Sequence, residues 1–170
     1  RRQRQMCIRD SSHYEAPVDQ RTLAELESRD LKPYKSLASK FDAVMPAHIK
    51  FPRIDSQSVG FSFYWLNNVL RTGYGFKGII FSDDLSMVAA NVAGTYRDRA
   101  QSALEAGCDM ILICNSRLGA IEVIDYLESF GSVEPRPYKS MMAKRAPTWS
   151  NLKTSNRYLK IVQTLKRLFG

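Results

Sequence analysis

Three short apolar runs alternate with amphipathic stretches through the middle of the chain. The runs are DAVM at 42–45, KGIIF at 77–81 and DMILI at 109–113. Each has the length and the mostly apolar character of a buried strand, whereas the stretches between them place apolar residues at helical spacing. Such an alternation of strands and helices is typical of parallel strands joined by crossover helices. The sequence therefore predicts an α/β fold.

Helical periodicity extends to both sides of these runs. Leu23, Leu26 and Leu31 keep roughly helical spacing, and we expect Pro33 to end or interrupt this first helical section. The segment 46–62 shows neither helical nor strand periodicity and is expected to be irregular. Further helices are predicted at 63–71, 87–92, 95–106 and 116–130, and in two stretches of the tail that are broken around Pro147.

Polar or reactive side chains come directly after each predicted strand. They lie at 46–48, 82–84 and 114–115. The carboxyl ends of parallel strands share one edge, and in a barrel of alternating strands and helices that edge forms the face on which active sites are built. We therefore expect a functional site to be assembled from these three segments.

The stretch FSDDLSM at 81–87 carries two adjacent carboxylates at the end of a predicted strand. Ser82, Asp83 or Asp84 is suited to accept an amide hydrogen bond at the start of the next helix, so capping is one interpretation. One capping residue is enough, which leaves the other acid free to face a ligand. A carboxylate kept ionised by nearby amides is a suitable nucleophile for attack on the anomeric carbon of a sugar.

The chain has two histidines, and each has two interpretations. His13 lies in the polar stretch SSHYEAP, where it is either a surface histidine or a general acid/base, because an imidazole with a pKa near 6.5 both donates and accepts protons near neutral pH. His48 follows a predicted strand, which fits a substrate-binding position and a structural position equally well.

The glycines of GYGFKG at 73–78 have the GxGxxG spacing of a dinucleotide fingerprint. That fingerprint requires a preceding strand and a following helix, so that the amides at the helix start contact phosphate. Here a predicted helix precedes the glycines and a predicted strand comes after them. We therefore interpret this segment as a loop between a helix and a strand.

Composition and charge further limit the class of protein and the kind of binding partner. The chain has 170 residues, with 44% hydrophobic and 25% charged side chains, and no apolar run is long enough to span a membrane. The net charge is +8, of which +3 lies in the first ten residues, and much of the rest lies on amphipathic stretches near the end. This distribution favours solvated helix faces over a nucleic-acid site. Cys7, Cys108 and Cys114 lack metal-ligand spacing and are predicted to be buried, reduced thiols.

The first eleven residues differ in character from the rest of the chain. The segment RRQRQMCIRDS has no periodic spacing of apolar residues, and it ends before the helical periodicity of the following chain begins. We expect residues 1–11 to be a non-native leader, and residues 12–170 to be the C-terminal part of a single larger domain.

Four segments taken in order resemble the NagZ-type β-N-acetylhexosaminidases of glycoside hydrolase family 3. They are SHYEAPVD, DAVMPAH, GFKGIIFSDDLSM and AGCDMILICN, and the resemblance covers about residues 12–153. It implies that the chain is the C-terminal part of a (β/α)8 TIM barrel whose strands six, seven and eight are the three predicted strands. A part of a barrel is expected to be inactive by itself, since three strands leave open sheet edges.

The resemblance also implies the roles of two residues. Asp83 corresponds to the nucleophile, the first acid of the family's SDD motif, and His13 to the general acid/base in an Asp-Ser-His loop. This chain reads Asp10-Ser11-Ser12-His13, one residue longer than the family's loop. No metal or organic cofactor is implied, and the family's remaining sugar-binding residues have no counterpart in this chain.

The implied substrate is a terminal β-linked N-acetylglucosamine, as found on muropeptides recycled from the bacterial cell wall, and the implied location is the cytoplasm. Other members of the family remove glucose or xylose, so a different exo-β-glycosidase is the alternative enzyme. A noncatalytic basic binding module is the alternative from another class. The partner is accordingly expected to be a carbohydrate rather than a nucleic acid or a membrane, and the oligomeric state is left open.

Overall fold

A computed structural model of the chain describes residues 16–129, 141–142 and 147–169. These residues belong to two units, one ending at 129 and one starting at 141 among the described positions. The leader predicted at 1–11 and the predicted acid/base His13 lie outside the described residues.

Within the described part of the first unit, five strands form two separate sheets. The strands are β1 (Ala43–Val44), β2 (Lys50–Phe51), β3 (Asp55–Ser58), β4 (Ile79–Asp84) and β5 (Met110–Leu112). The main sheet has the order β1-β4-β5 with every pair parallel, which confirms the three predicted strands and their direction. Val44 pairs with Ile80, and Asp84 pairs with Leu112, so the carboxyl ends of all three strands share one edge.

Helices connect these strands and continue after them. The α-helices of the first unit are α1 (Leu23–Ser28), α2 (Lys32–Leu37), α3 (Tyr96–Ala106) and α4 (Arg117–Glu128). A π-helix spans Tyr64–Gly73, and single 3₁₀ segments span Ala38–Lys40, Val59–Phe61 and Val88–Ala93. The second unit contains α5 (Trp149–Thr154) and α6 (Asn156–Phe169).

Local sequence signals explain several helix boundaries. Thr22 accepts a hydrogen bond from Glu25 N while the Glu25 carboxylate binds Thr22 N, and this capping box starts α1. Pro33 lies in the first turn of α2, where its missing N–H costs nothing, and this confirms the predicted break between two helical sections. Gly107 ends α3 at φ 113°, a left-handed conformation that glycine adopts without strain.

Three sequence-based expectations need correction. The segment 46–62 is not irregular throughout, because β2 and β3 pair in it as an antiparallel hairpin. The helix predicted at 87–92 is a 3₁₀ segment at Val88–Ala93. In the tail, the chain after Pro147 forms two helices, α5 and α6, with an unpredicted break at Ser155, whose ψ of 136° is extended; most of the predicted stretch before Pro147 lies outside the described residues.

The glycine-rich segment at 73–78 is the predicted loop between a helix and a strand. It joins the π-helix to β4, and it contains Gly75 at φ 70°. At Gly78 a Cβ atom would collide with the backbone carbonyl of Asp42, which also accepts the Ile79 N–H at 3.0 Å. Gly78 therefore lets β4 approach the chain that leads into β1, and the segment is not a phosphate-binding turn.

The main sheet is buried at its centre and unpaired at its borders. Ile79 and Ile80 of β4 are fully buried, and Ile80 belongs to a core that the small residues of α3 complete. Among the described residues, no strand pairs with the outer edge of β1 or of β5. On α4, apolar side chains remain exposed at Leu118, Ile121 and Ile124. None of the helices in the described ranges has the length and apolar character needed to cross a membrane.

Candidate active site

The end of β4 orients two adjacent acids differently. The strand continues through Asp84, and successive side chains of a strand point to opposite faces. Ser82 and Asp84 are both buried, at 1% and 8% exposure, whereas Asp83 between them is only partly buried. The backbone geometry alone therefore separates a buried acid from an accessible one.

Asp84 is held by four hydrogen bonds from three residues. Its Oδ1 accepts from the backbone N–H groups of Ser86 and Cys114, both at 2.9 Å. Its Oδ2 accepts from the Ser86 hydroxyl at 2.6 Å and from the Asn115 side-chain amide at 3.0 Å. Both carboxylate oxygens are thus occupied, and Asp84 joins the end of β4 to the end of β5.

The prediction that one of these residues caps a helix is therefore wrong, although Asp84 does cap a turn. None of the three candidates caps a helix, because the next helical segment begins at Val88 without a side-chain cap. Asp84 instead caps the turn after β4 through Ser86. Ser82 accepts the Leu112 N–H at 2.9 Å and bridges β4 to β5.

The hydrogen bonds of Asp84 also set its protonation. Burial by itself would raise the pKa of this carboxyl, but the Ser86 hydroxyl, the backbone N–H groups of Cys114 and Ser86 and the Asn115 amide together lower it below the ordinary 3.8. Asp84 therefore stays ionised and accepts hydrogen bonds at neutral pH.

Replacing Asp84 by asparagine is expected to lower the free energy of unfolding by roughly 1–3 kcal/mol at pH 7, because its donors then face an amide nitrogen or lose a charged acceptor. The pKa of Asp84 is lower in the folded protein than in the unfolded chain. Its contribution to the free energy of unfolding is therefore complete above the unfolded-state pKa and is lost as the pH falls through the folded-state pKa. Urea unfolding between pH 3 and pH 7 should show a weaker pH dependence in the variant. Parallel pH profiles would contradict this role.

Asp83 has a single hydrogen bond among the described residues. Its Oδ1 accepts the N–H of Asp84 at 2.9 Å, and the partly exposed carboxylate keeps its other oxygen for further contacts. It lies on the sheet edge predicted to carry the site, one residue before the buried end of β4. Of the two acids, Asp83 is the one available to a ligand.

His48 lies close to this pair and is almost completely buried, at 1% exposure. Burial lowers its pKa most strongly, while the negative charge of Asp83, the backbone of Asp84 and the charge of Asp84 raise it. Neither ring nitrogen meets hydrogen-bond geometry with a described residue. The predicted role in substrate binding stays a prediction, and direct contact with a ligand would require this side chain or its loop to move.

Two further residues near the acids were not assigned roles from the sequence. Arg99 of α3 donates to the backbone carbonyl of Leu85 at 2.7 Å and supports the turn after β4. Cys114 lies beyond the end of β5 and is exposed, so the prediction of a buried thiol is wrong for it, whereas Cys108 is buried as predicted. Desolvation, together with the smaller effect of the charges of Asp84 and Asp83, raises the pKa of the Cys114 thiol. Cys114 is therefore protonated at neutral pH and is poorly suited to act as a nucleophile.

The arrangement at the sheet edge suits covalent carboxylate chemistry. Among the residues that the structure describes, no three histidine, cysteine or acidic side chains come together as a metal-binding group. What the sheet edge offers is one accessible carboxylate beside one fully occupied carboxylate and a buried imidazole. Two of the three predicted segments are joined by hydrogen bonds, as the contacts of Asp84 with Cys114 and Asn115 demonstrate.

The comparison with known protein families and sequences gives one consistent result. Residues 8–136 match the family described as the glycosyl hydrolase family 3 N-terminal domain. A β-hexosaminidase from Tolumonas auensis is 46% identical over 153 residues, which are 89% of this chain and 45% of that protein. A β-hexosaminidase from Haemophilus influenzae is 41% identical over 157 residues, which are 86% of this chain and 44% of that protein. The chain thus spans less than half the length of these relatives.

Solved structures agree with the sequence relatives. The chain is similar to NagZ from Neisseria gonorrhoeae in complex with N-trifluoroacetyl-D-glucosamine, with a TM-score of 0.73 and 32% identity over 95% of this chain and 46% of that chain. It is also similar to the same protein in complex with a zinc ion, with a TM-score of 0.69 and 31% identity over 91% of this chain and 45% of that chain.

Proposed function

This chain belongs to glycosyl hydrolase family 3, and from that premise we propose that it forms part of a retaining exo-β-N-acetylglucosaminidase in which Asp83 is the nucleophile. The observation that carries the proposal is the division between the two acids. Asp84 has both oxygens occupied by backbone and side-chain donors, whereas Asp83 keeps an oxygen for a substrate. The relatives named β-hexosaminidase support the reaction class.

The proposed reaction proceeds by two displacements. The Asp83 carboxylate attacks the anomeric carbon, and the bond to the leaving oxygen breaks while that oxygen takes a proton from His13. The product is a glycosyl ester on Asp83. A water molecule then loses a proton to His13 and attacks the same carbon, which releases the sugar and restores the carboxylate.

The choice of a histidine as acid/base has an electrostatic reason. Most glycosidases use a second carboxylic acid, whose pKa must be raised for it to carry a proton at neutral pH. An imidazole has an ordinary pKa near 6.5 and adds no negative charge beside Asp83. This assignment rests on the resemblance of the segment around His13 to the family.

The main sheet is proposed to be the last three strands of a (β/α)8 barrel, as part of a longer protein. The unpaired outer edges of β1 and β5 among the described residues and the exposed apolar residues of α4 support this. The site at the carboxyl ends of the strands also fits, because barrel enzymes place their catalytic residues on that face. By itself the chain is expected to be inactive.

The proposed substrate is a terminal β-linked N-acetylglucosamine, with muropeptides from the bacterial cell wall as its source and the cytoplasm as its location. The Neisseria gonorrhoeae structure that the chain resembles holds N-trifluoroacetyl-D-glucosamine, which supports recognition of an N-acylated glucosamine. This part of the proposal concerns the whole protein rather than the described residues.

A direct assay tests the proposed function in a longer protein that contains this chain. Aryl N-acetyl-β-glucosaminide should be hydrolysed with a kcat/KM at least about 100-fold above that for the aryl β-glucoside, since sites that bind a substrate amide penalise analogues lacking it. The products should retain the β configuration at early times. A preference for the glucoside would favour the alternative exo-β-glycosidase, and hydrolysis of neither would favour a binding module.

A further inference from the structure

His48 is a buried polar residue whose hydrogen-bonding capacity is unused in the described structure. Its side chain is 1% exposed, and neither Nδ1 nor Nε2 has a hydrogen-bond partner among the described residues. A buried imidazole without partners is unfavourable, because each ring nitrogen either donates or accepts in every protonation state. Positions buried to this extent are ordinarily filled by apolar side chains, so the two nitrogens require an explanation.

The packing around His48 holds the ring in place. Its centroid lies 5.1 Å from that of Phe61, with 31° between the ring planes. A Cβ atom at Gly60 would lie 3.5 Å from Nδ1, so the ring packs directly over the backbone of this glycine. The imidazole is therefore confined from one side by the Val59–Phe61 segment.

Strand register brings His48 to the end of β4. Val44 of β1 pairs in parallel with Ile80 of β4. His48 comes four residues after Val44, as Asp84 comes four residues after Ile80, and the two chains leave the sheet at the same edge. The loop after β1 thus places the buried imidazole next to the two acids of β4.

The charges that act on His48 agree with this placement. Burial has the largest effect and lowers its pKa, which leaves the imidazole neutral at neutral pH with one N–H to donate. Asp83 is the leading charged neighbour that raises the pKa, and the backbone and the charge of Asp84 act in the same direction, while Arg99 lowers it. The backbone carbonyl of Asp84 already accepts the Met87 N–H at 3.1 Å and does not meet hydrogen-bond geometry with either ring nitrogen of His48. Since both oxygens of Asp84 already accept hydrogen bonds, the carboxylate with a remaining acceptor is that of Asp83.

We propose that the imidazole N–H of His48 donates to the Asp83 carboxylate and, together with the Asp84 N–H, fixes the orientation of the nucleophile; this inference rests on the proposed function. Asp84 N holds Oδ1 of Asp83 at 2.9 Å, and His48 donates to the second lone pair of the same oxygen, so that Oδ2 stays available to attack the sugar. His48 is then a positioning residue that does not contact the sugar.

Kinetics of a longer protein that contains this chain test the role. His48→Leu keeps a side chain of similar size but removes the donor, and it is expected to lower kcat by roughly 100-fold, with KM changed by less than about threefold. His48→Asn and His48→Gln place an amide N–H near Nδ1 and Nε2, respectively. Recovery of at least about tenfold by either one supports donation and identifies the nitrogen, whereas recovery by neither overturns the proposal.

Phe61→Leu is the matched control, because it removes packing from the same ring without removing a donor. It should lower the melting temperature while leaving kcat within about twofold of wild type. If His48→Leu behaves like this control, with a lower melting temperature and an unchanged kcat, His48 is only structural.

A measurement without substrate separates this inference from the proposed function. The imidazole N–H signal of His48, assigned by its absence in His48→Gln, should be observed by NMR and exchange slowly in wild type. Asp83→Ala should speed its exchange and shift it upfield. An unchanged signal in Asp83→Ala would overturn the contact, whether or not the wild-type protein hydrolyses N-acetylglucosaminides.

Discussion

Replacing Asp83 by alanine in a longer protein that contains this chain is expected to lower kcat for aryl N-acetyl-β-glucosaminides by about 10,000-fold or more, because the variant lacks the atom that forms the glycosyl ester. Folding should be nearly unaffected, since Asp83 is partly exposed and has one described hydrogen bond. Steady-state rates and thermal unfolding of both proteins measure the two effects.

The neighbouring acid supplies the matched control. Asp84→Asn should lose stability and a smaller part of the activity, because Asp84 holds the turn and not the sugar. Azide adds a stereochemical readout for Asp83→Ala: it attacks from the face that Asp83 occupied and should give an α-glycosyl azide after a single inversion. A larger activity loss in Asp84→Asn, at a temperature where both variants are folded, would reverse the assignment.

Replacing His13 by alanine is expected to slow both displacements, by about 100- to 10,000-fold for substrates with poor leaving groups. Aryl glycosides with acidic phenols need little protonation, so their first step should be slowed much less. Rates across a series of aryl leaving groups should therefore show a steeper dependence on phenol pKa in the variant than in wild type.

Azide distinguishes this role from a structural one. It attacks the glycosyl ester without needing a general base, so it should restore turnover of His13→Ala and yield a β-glycosyl azide after two inversions. A structural histidine would give neither effect. Equal leaving-group slopes in wild type and His13→Ala would mean that another loop supplies the acid/base.

The sequence predicted the main sheet well because its strands are continuous apolar runs. KGIIF and DMILI became β4 and β5, and DAVM became β1, with the polar segments after them on one edge. The β2–β3 hairpin was missed, since Pro52 interrupts the apolar pattern and β3 has the polar sequence DSQS. Backbone hydrogen bonds from Lys50 to Pro17 and from Asp19 to Lys50 connect β2 to a distant part of the chain, and local periodicity does not reveal such contacts.

The different roles of Asp83 and Asp84 could not be derived from the residue pattern, for a different reason. Two adjacent aspartates are equivalent candidates until the donors of Asp84 are known, and two of these donors, Cys114 and Asn115, lie about 30 residues further along the chain. The resemblance to the family selected Asp83 without this reason. The burial of His48 could not be predicted either, because a loop after a strand has no periodic pattern that distinguishes buried from exposed side chains.

Peptide mapping after trapping with a fluorinated N-acetylglucosaminide tests the central claim most directly. The fluorine slows breakdown of the glycosyl ester, so the intermediate should accumulate on a longer protein that contains this chain. We predict one covalent sugar per protein, carried by Asp83 in the peptide that contains FSDDLSM. A sugar on Asp84, or continued turnover with no sugar on the protein, would contradict the assignment of Asp83 as the nucleophile.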